Sequence, residues 1–86
     1  MNSTGPTFAE VKTVVVKTLG IEDRADSLTP ETLLLDSLPE LDSMAVLNVI
    51  LALEEHFGVT IEDDEVTGEL FETLGVLAAF VERKLS

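Results

Sequence analysis

The chain has no cysteine, no tryptophan and no tyrosine, and it carries one histidine and five basic side chains among 86 residues. Each scarcity excludes something. Without cysteine there is no disulfide and no thiolate metal site. The single histidine, His56, has no second imidazole with which to complete a metal set, and it reads as a surface residue beside Glu55. Five Lys and Arg stand against 17 Asp and Glu, a formal net charge of −12. A nucleic-acid backbone would be repelled by that surface, so no nucleic acid is expected as a partner. Basic patches on partner proteins would be attracted, although a plainly solvated surface accounts for the charge equally well. No apolar run, residues 49–53 included, approaches the length that spans a bilayer. Residues 1–6 hold neither a basic region nor an apolar run, so they are not a signal peptide and the expected location is cytoplasmic.

What is present is enough to fold. Hydrophobic residues make up 45% of the chain, and with four Phe as the whole aromatic content the core must be built from Leu, Val, Ile and Ala. The length suits one domain over residues 1–86, with 1–6 expected as a disordered N-terminus. Thr7 and Glu10 fit a capping box, and Phe8, Val11, Val15 and Leu19, with Val14 beside them, predict a first helix over 7–19 that Gly20 ends. Residues 20–42 then form a long connection, whose Leu28, Leu33, Leu34, Leu35 and Leu38 are expected to pack down onto the bundle. Within it, Thr29 as N-cap and Pro30 behind it predict a short helical turn through Leu34.

The second helix is expected over 43–57, capped by Asp42 and stopped by Gly58. At about 100° per residue its apolar side chains separate into two stripes. Val46, Val49, Ile50, Leu53 and Phe57 form a core face. Met44, Leu47 and Leu51 lie more than a right angle away, flanked by Asn48, Glu54 and Glu55. A small bundle cannot readily bury both, so the second stripe should meet solvent or a partner. Glu62-Asp63-Asp64-Glu65 opens a short third helix that Gly68 curtails. Thr73 caps a fourth, with Leu74, Leu77, Ala78, Val81 and Leu85 on one face and Arg83 and Lys84 at its C-terminal end. The fold class is all-α: a small four-helix bundle of three longer helices and one short third helix, with a long first loop.

Little in this chain can do chemistry unaided. The acidic run at 62–65 lacks the alternating ligands and central glycine of a calcium loop, so it offers weak cation binding or a solvated helix start, and no metal site is assigned. A hydrolase pair of Ser43 and His56 fails because thirteen residues of helix separate them by about 20 Å. There is no glycine-rich phosphate loop. Ser43 itself stands where a loop enters a helix, and there the N–H groups and the helix dipole favour a phosphate. Serine is also common at helix starts for capping alone. Here Asp42 already supplies the cap, and the outward stripe begins at the very next residue, Met44.

Asp42-Ser43-Met44 resembles the Asp-Ser-Leu/Met motif of acyl carrier proteins. Ala52-Leu53-Glu54-Glu55-His56-Phe57-Gly58-Val59 resembles the stretch that closes their second helix, and the likeness runs over roughly residues 7–85. The resemblance implies a four-helix bundle that is a carrier and not an enzyme. Ser43 would be the attachment site of 4'-phosphopantetheine, placed there by a phosphopantetheinyl transferase that uses coenzyme A and Mg²⁺. Asp42 would position the serine, and the arm's thiol would hold acyl groups as thioesters, which suits a chain without cysteine. Met44, Leu47, Leu51, Glu54 and Glu55 match positions that meet partner enzymes: an acyl-loading ligase or acyltransferase and other biosynthetic enzymes with basic surfaces. A monomer is expected.

The chain also departs from carriers of primary fatty-acid synthesis. They usually have glycine where Glu40 stands, and often acids where Ala45 and Asn48 stand. A less acidic, more apolar start to the second helix is the expected result. It points to a specialised carrier of a lipid or secondary biosynthetic pathway. A peptidyl or aminoacyl carrier, and an unmodified acidic adaptor that binds a partner through the second helix, are the alternatives.

Overall fold

The computed structural model describes residues 6–85. Its elements are α1 (Pro6–Leu19), a 3-10 segment (Glu22–Ser27), α2 (Leu34–Ser37), α3 (Ser43–Phe57), a 3-10 turn (Asp63–Glu65) and α4 (Leu74–Leu85). The predicted second and fourth helices are thus α3 and α4, and the predicted third is the 3-10 turn. Among the described residues the only extended pairing is an isolated antiparallel bridge between Leu33 and Thr73. No described helix is long and apolar enough to cross a membrane.

α1 packs against both α3 and α4 and also against the first 3-10 segment. That position explains why Val14, Val15 and Val16 are all buried alongside Phe8 and Val11, a wider arc than one helix–helix contact would cover. The helix begins at Pro6, so Thr7 lies inside the first turn and is not the N-cap. Proline suits a first helical position because its missing N–H would have no intrahelical acceptor. The preceding cap position, and residues 1–5 of the N-terminus expected to be disordered, lie outside the described residues; Pro6 itself is helical. At the other end Gly20 takes φ 70°. The Ile21 N–H donates to Val16 O at 2.9 Å and the Gly20 N–H to Lys17 O at 3.2 Å, so two terminal carbonyls are satisfied and buried Ile21 is turned inward.

The long connection is part of the core, but not with every leucine expected. Leu28, Leu34, Leu38 and Leu41 are buried, whereas Leu33 and Leu35 are 45% and 50% exposed. The reason is local geometry. α2 is a single turn, so Leu34 and Leu38, four apart, share its inner face while their neighbours point away. The helical residues also come later than predicted. Around Pro30 the chain makes a turn, with the Thr32 N–H donating to Thr29 O at 3.0 Å and the Thr29 N–H donating to Thr32 Oγ1 at 2.8 Å.

This connection caps α4. The Leu74 N–H donates to Thr32 O at 3.0 Å and the Gly75 N–H to Pro30 O at 2.9 Å. Thr73 Oγ1 accepts the Val76 N–H at 3.1 Å, as its predicted capping role requires. Three first-turn donors that a helix leaves orphaned are thereby satisfied. Gly75 is needed for the approach: a Cβ there would lie 2.9 Å from Pro30 O. On α4, Leu74, Leu77, Ala78 and Val81 are buried, but Leu85 is 47% exposed because the helix ends with it.

The acidic run makes a turn of three residues, shorter than the expected helix. Glu65 closes it by accepting the Glu62 N–H at 2.9 Å and the Lys84 Nζ at 2.7 Å. Those bonds, the Lys84 one foremost, hold the Glu65 carboxyl below the ordinary carboxylate range.

Candidate functional site

The entry to α3 is set by two buried leucines and a capping aspartate. Leu38 and Leu41 anchor the chain on either side of an exposed turn at Pro39 and Glu40, with the Leu41 N–H donating to Leu38 O at 2.9 Å. Asp42 follows in extended conformation, φ −92° and ψ −173°. Its Oδ1 accepts the Ala45 N–H at 2.8 Å, and its carbonyl accepts the Val46 N–H at 2.8 Å. This is the N-cap read from the sequence. Ser43 is the first helical residue, and its side chain is exposed. Because the cap bond belongs to Asp42, a group can be attached to Ser43 Oγ without uncapping the helix. An added phosphodiester would sit at the positive end of a fifteen-residue helix.

From Ser43 the outward stripe runs down α3. Met44, Leu47 and Leu51 are 67%, 56% and 61% exposed, while Val49 and Leu53 on the opposite side are at 0%. Val46 and Phe57, assigned to the core face, are half-buried, and Ala45 is buried in their place. The buried face is therefore centred on Ala45, Val49 and Leu53. Ala45 is 9% exposed and so adds little apolar surface of its own. Asn48 and Glu40 are exposed and remain as surface departures.

The two acids expected to meet partners differ from each other. Glu55 is exposed, whereas Glu54 is half-buried and its Oε2 accepts the Ile61 N–H at 2.8 Å. Part of Glu54 is thus committed to holding the segment after α3. Asn48, Leu51, Ala52, Glu54 and Glu55 line an open groove of about 530 Å³ beside the stripe. The turn at the end of α3 is made by Gly58 at φ 68°, with the Gly58 N–H donating to Glu54 O at 2.9 Å. His56 lies apart from Ser43: its Nε2 is 3.0 Å from Glu10 Oε1, which ties α3 to α1, and its ring packs edge-on against Phe57. The described residues hold no group of three or more His, Asp or Glu placed to bind a metal ion.

One contact near the site was missed by sequence reasoning. Arg24, in the first 3-10 segment, is ion-paired with Glu40, three residues before Ser43. The available signal was its isolation, since no other Lys or Arg occurs between Lys17 and Arg83.

Residues 9–81 match the family described as Phosphopantetheine attachment site. The acyl carrier protein of Thermotoga maritima is 30% identical over 78 residues, 91% of this chain and 90% of its own. That of Helicobacter hepaticus is 36% identical over 76 residues, 88% of this chain and 93% of its own. A solution NMR structure of a holo acyl carrier protein from Nitrosomonas europaea superposes with a TM-score of 0.87 at 48% identity, covering 93% of this chain and 96% of that one. A small helical bundle with this sequence likeness defines a phosphopantetheine-bearing carrier, not an enzyme. The chain belongs to the acyl carrier protein family, and its prosthetic group is 4'-phosphopantetheine.

Proposed function

We propose that Ser43 carries the 4'-phosphopantetheine and that α3 delivers its acyl cargo by docking the Met44, Leu47 and Leu51 stripe on successive enzymes. The observation that carries this reading is one junction: an exposed serine at the first helical position, relieved of capping by Asp42, continuous with an exposed apolar stripe. The arm, when present, supplies the thiol that this cysteine-free chain lacks. The chain's own part is to hold the serine at a fixed helix end and to present the docking face. Its net charge of −12 speeds encounter with basic surfaces, and the stripe then gives short-range contact. The partners that fit are a phosphopantetheinyl transferase, an acyl-loading ligase or acyltransferase, and later enzymes with basic docking patches. The exposed Glu40 and Asn48 favour a specialised lipid or secondary pathway, in the cytoplasm, over primary fatty-acid synthesis.

An unmodified helical adaptor would need the same stripe but would make Ser43 expendable. The two readings separate on loading. Incubated with an acyl-coenzyme A and a broad-specificity transferase, the protein should gain one acyl-phosphopantetheine. Neutral hydroxylamine should then remove the acyl group alone. A mass left unchanged, under conditions that convert a control carrier, would favour the adaptor.

The docking face has its own test. Leu47→Glu should lower turnover by a loading enzyme by about ten-fold or more, the effect of losing a central apolar contact, and leave the helical circular dichroism unchanged because Leu47 is 56% exposed. Loss of the helical signal would instead place Leu47 in the core.

A further inference from the structure

Arg24 is the one Lys or Arg between Lys17 and Arg83. Its Nη2 donates to Oε2 of Glu40, and both side chains are 38% exposed. The bridge joins two different elements. Arg24 stands on a 3-10 segment that packs against α1; its N–H donates to Ile21 O at 2.9 Å, and Ser27 Oγ donates to its carbonyl at 2.8 Å. Glu40 stands on an exposed turn with two short-range backbone bonds, from the Leu41 N–H to Leu38 O and from the Asp42 N–H to Glu40 O, the latter at 3.0 Å. The bridge therefore ties the exposed tip of this turn, held at its ends by buried Leu38 and Leu41, to the 3-10 segment. Without Arg24, Glu40 would have no nearby basic residue in sequence and would face repulsion from the following Asp42.

We propose that Arg24 is a positioning residue for the modification of Ser43: by holding Glu40 it steadies the exposed tip of the turn between the buried anchors Leu38 and Leu41, and with it the approach of Asp42 and Ser43 to α3. This inference rests on Ser43 being the attachment point. An exposed pair adds little to global stability, so its effect is local, on a turn that no regular hydrogen-bond ladder fixes. The pair also differs from the general acidity of the surface. Acidity attracts a basic enzyme from any orientation, whereas the pair restricts the orientation of one hydroxyl.

The signs of the mutational effects distinguish the two. Arg24→Gln makes the surface more acidic and Glu40→Gln makes it less so. If charge alone mattered, the first variant would be modified faster, the second slower, and the double variant, whose net charge is unaltered, at the wild-type rate. Positioning predicts that all three lose kcat/KM for phosphopantetheinyl transfer alike, by about two- to five-fold, because the second substitution has no pair left to break. Amide exchange at Leu41 and Asp42 should accelerate in all three, with thermal midpoints within a few degrees of the wild type. Opposite-signed or unchanged rates, or unaltered exchange at those two amides, would overturn the proposal. If the wild-type chain is not modified at Ser43, intact mass followed by peptide fragmentation reports that before any variant is compared, and the attachment reading then fails separately.

Discussion

Leu34→Ala is expected to remove about 3 kcal/mol of stability and to lower the thermal midpoint by more than about 10 °C, whereas Leu35→Ala should cost no more than about 0.5 kcal/mol. The residues are identical and adjacent, so propensity and chain entropy nearly cancel in the comparison. What differs is burial: Leu34 is at 0% exposure and Leu35 at 50%. Removing the Leu34 side chain leaves a cavity beneath the bridge between Leu33 and Thr73, where three backbone hydrogen bonds join the connection to residues 72–75 at the start of α4. Those bonds restrict collapse around the gap, which keeps the cost toward the usual range for a buried leucine. A small domain has about 5–15 kcal/mol in total, so the loss is a large fraction of it. Urea and thermal unfolding followed by circular dichroism measure both variants. Equal losses would contradict a connection in which α2 buries one leucine and exposes the next.

That contrast also marks where the sequence stops being informative. Asp42, Gly58 and Thr73 could be recognised because capping and stopping are local: the side chain or backbone that does the work lies within a few residues of what it satisfies. The Met44, Leu47 and Leu51 stripe could be separated from the core because helical period alone divides the faces. The triplet Leu33-Leu34-Leu35 has no such period. Its burial is decided by where Thr73 and Gly75 sit, forty residues further on, and by the one-turn length of α2. Ala45 is placed at the surface only by its resemblance to acidic positions of other carriers, and alanine is small enough to suit either side of a helix. Its burial depends on how α3 is rotated against the rest of the core. Glu54 resembles any surface acid until the chain folds back to offer it the Ile61 N–H. The pairing of Arg24 with Glu40 spans two segments without regular periodicity, and neither side chain signals its partner. The Asp42-Ser43-Met44 junction was legible as geometry, and the Met44, Leu47 and Leu51 stripe as an unburied face. The Arg24–Glu40 pair near the junction was not.

Ser43→Ala is the second substitution with a large expected effect, and it separates attachment from structure. The N-cap bond runs from the Ala45 N–H to Asp42 Oδ1, so the serine hydroxyl is not what closes the first turn of α3. Alanine is a strong helix former and the position is exposed, so the variant should fold with its stability changed by no more than about 0.5 kcal/mol. Asp42→Ala would be the less informative substitution, because it removes the cap itself at a cost of about 1 kcal/mol and would mix a folding defect with any loss of modification. Intact mass spectrometry after incubation with coenzyme A, Mg²⁺ and a broad-specificity transferase, followed by peptide fragmentation, is the direct measurement. The wild-type chain should gain one phosphopantetheine located on Ser43, and Ser43→Ala should gain none while keeping its helical circular dichroism. A folded Ser43→Ala protein that still acquires the group, or a wild-type increment located on another residue, would contradict the account.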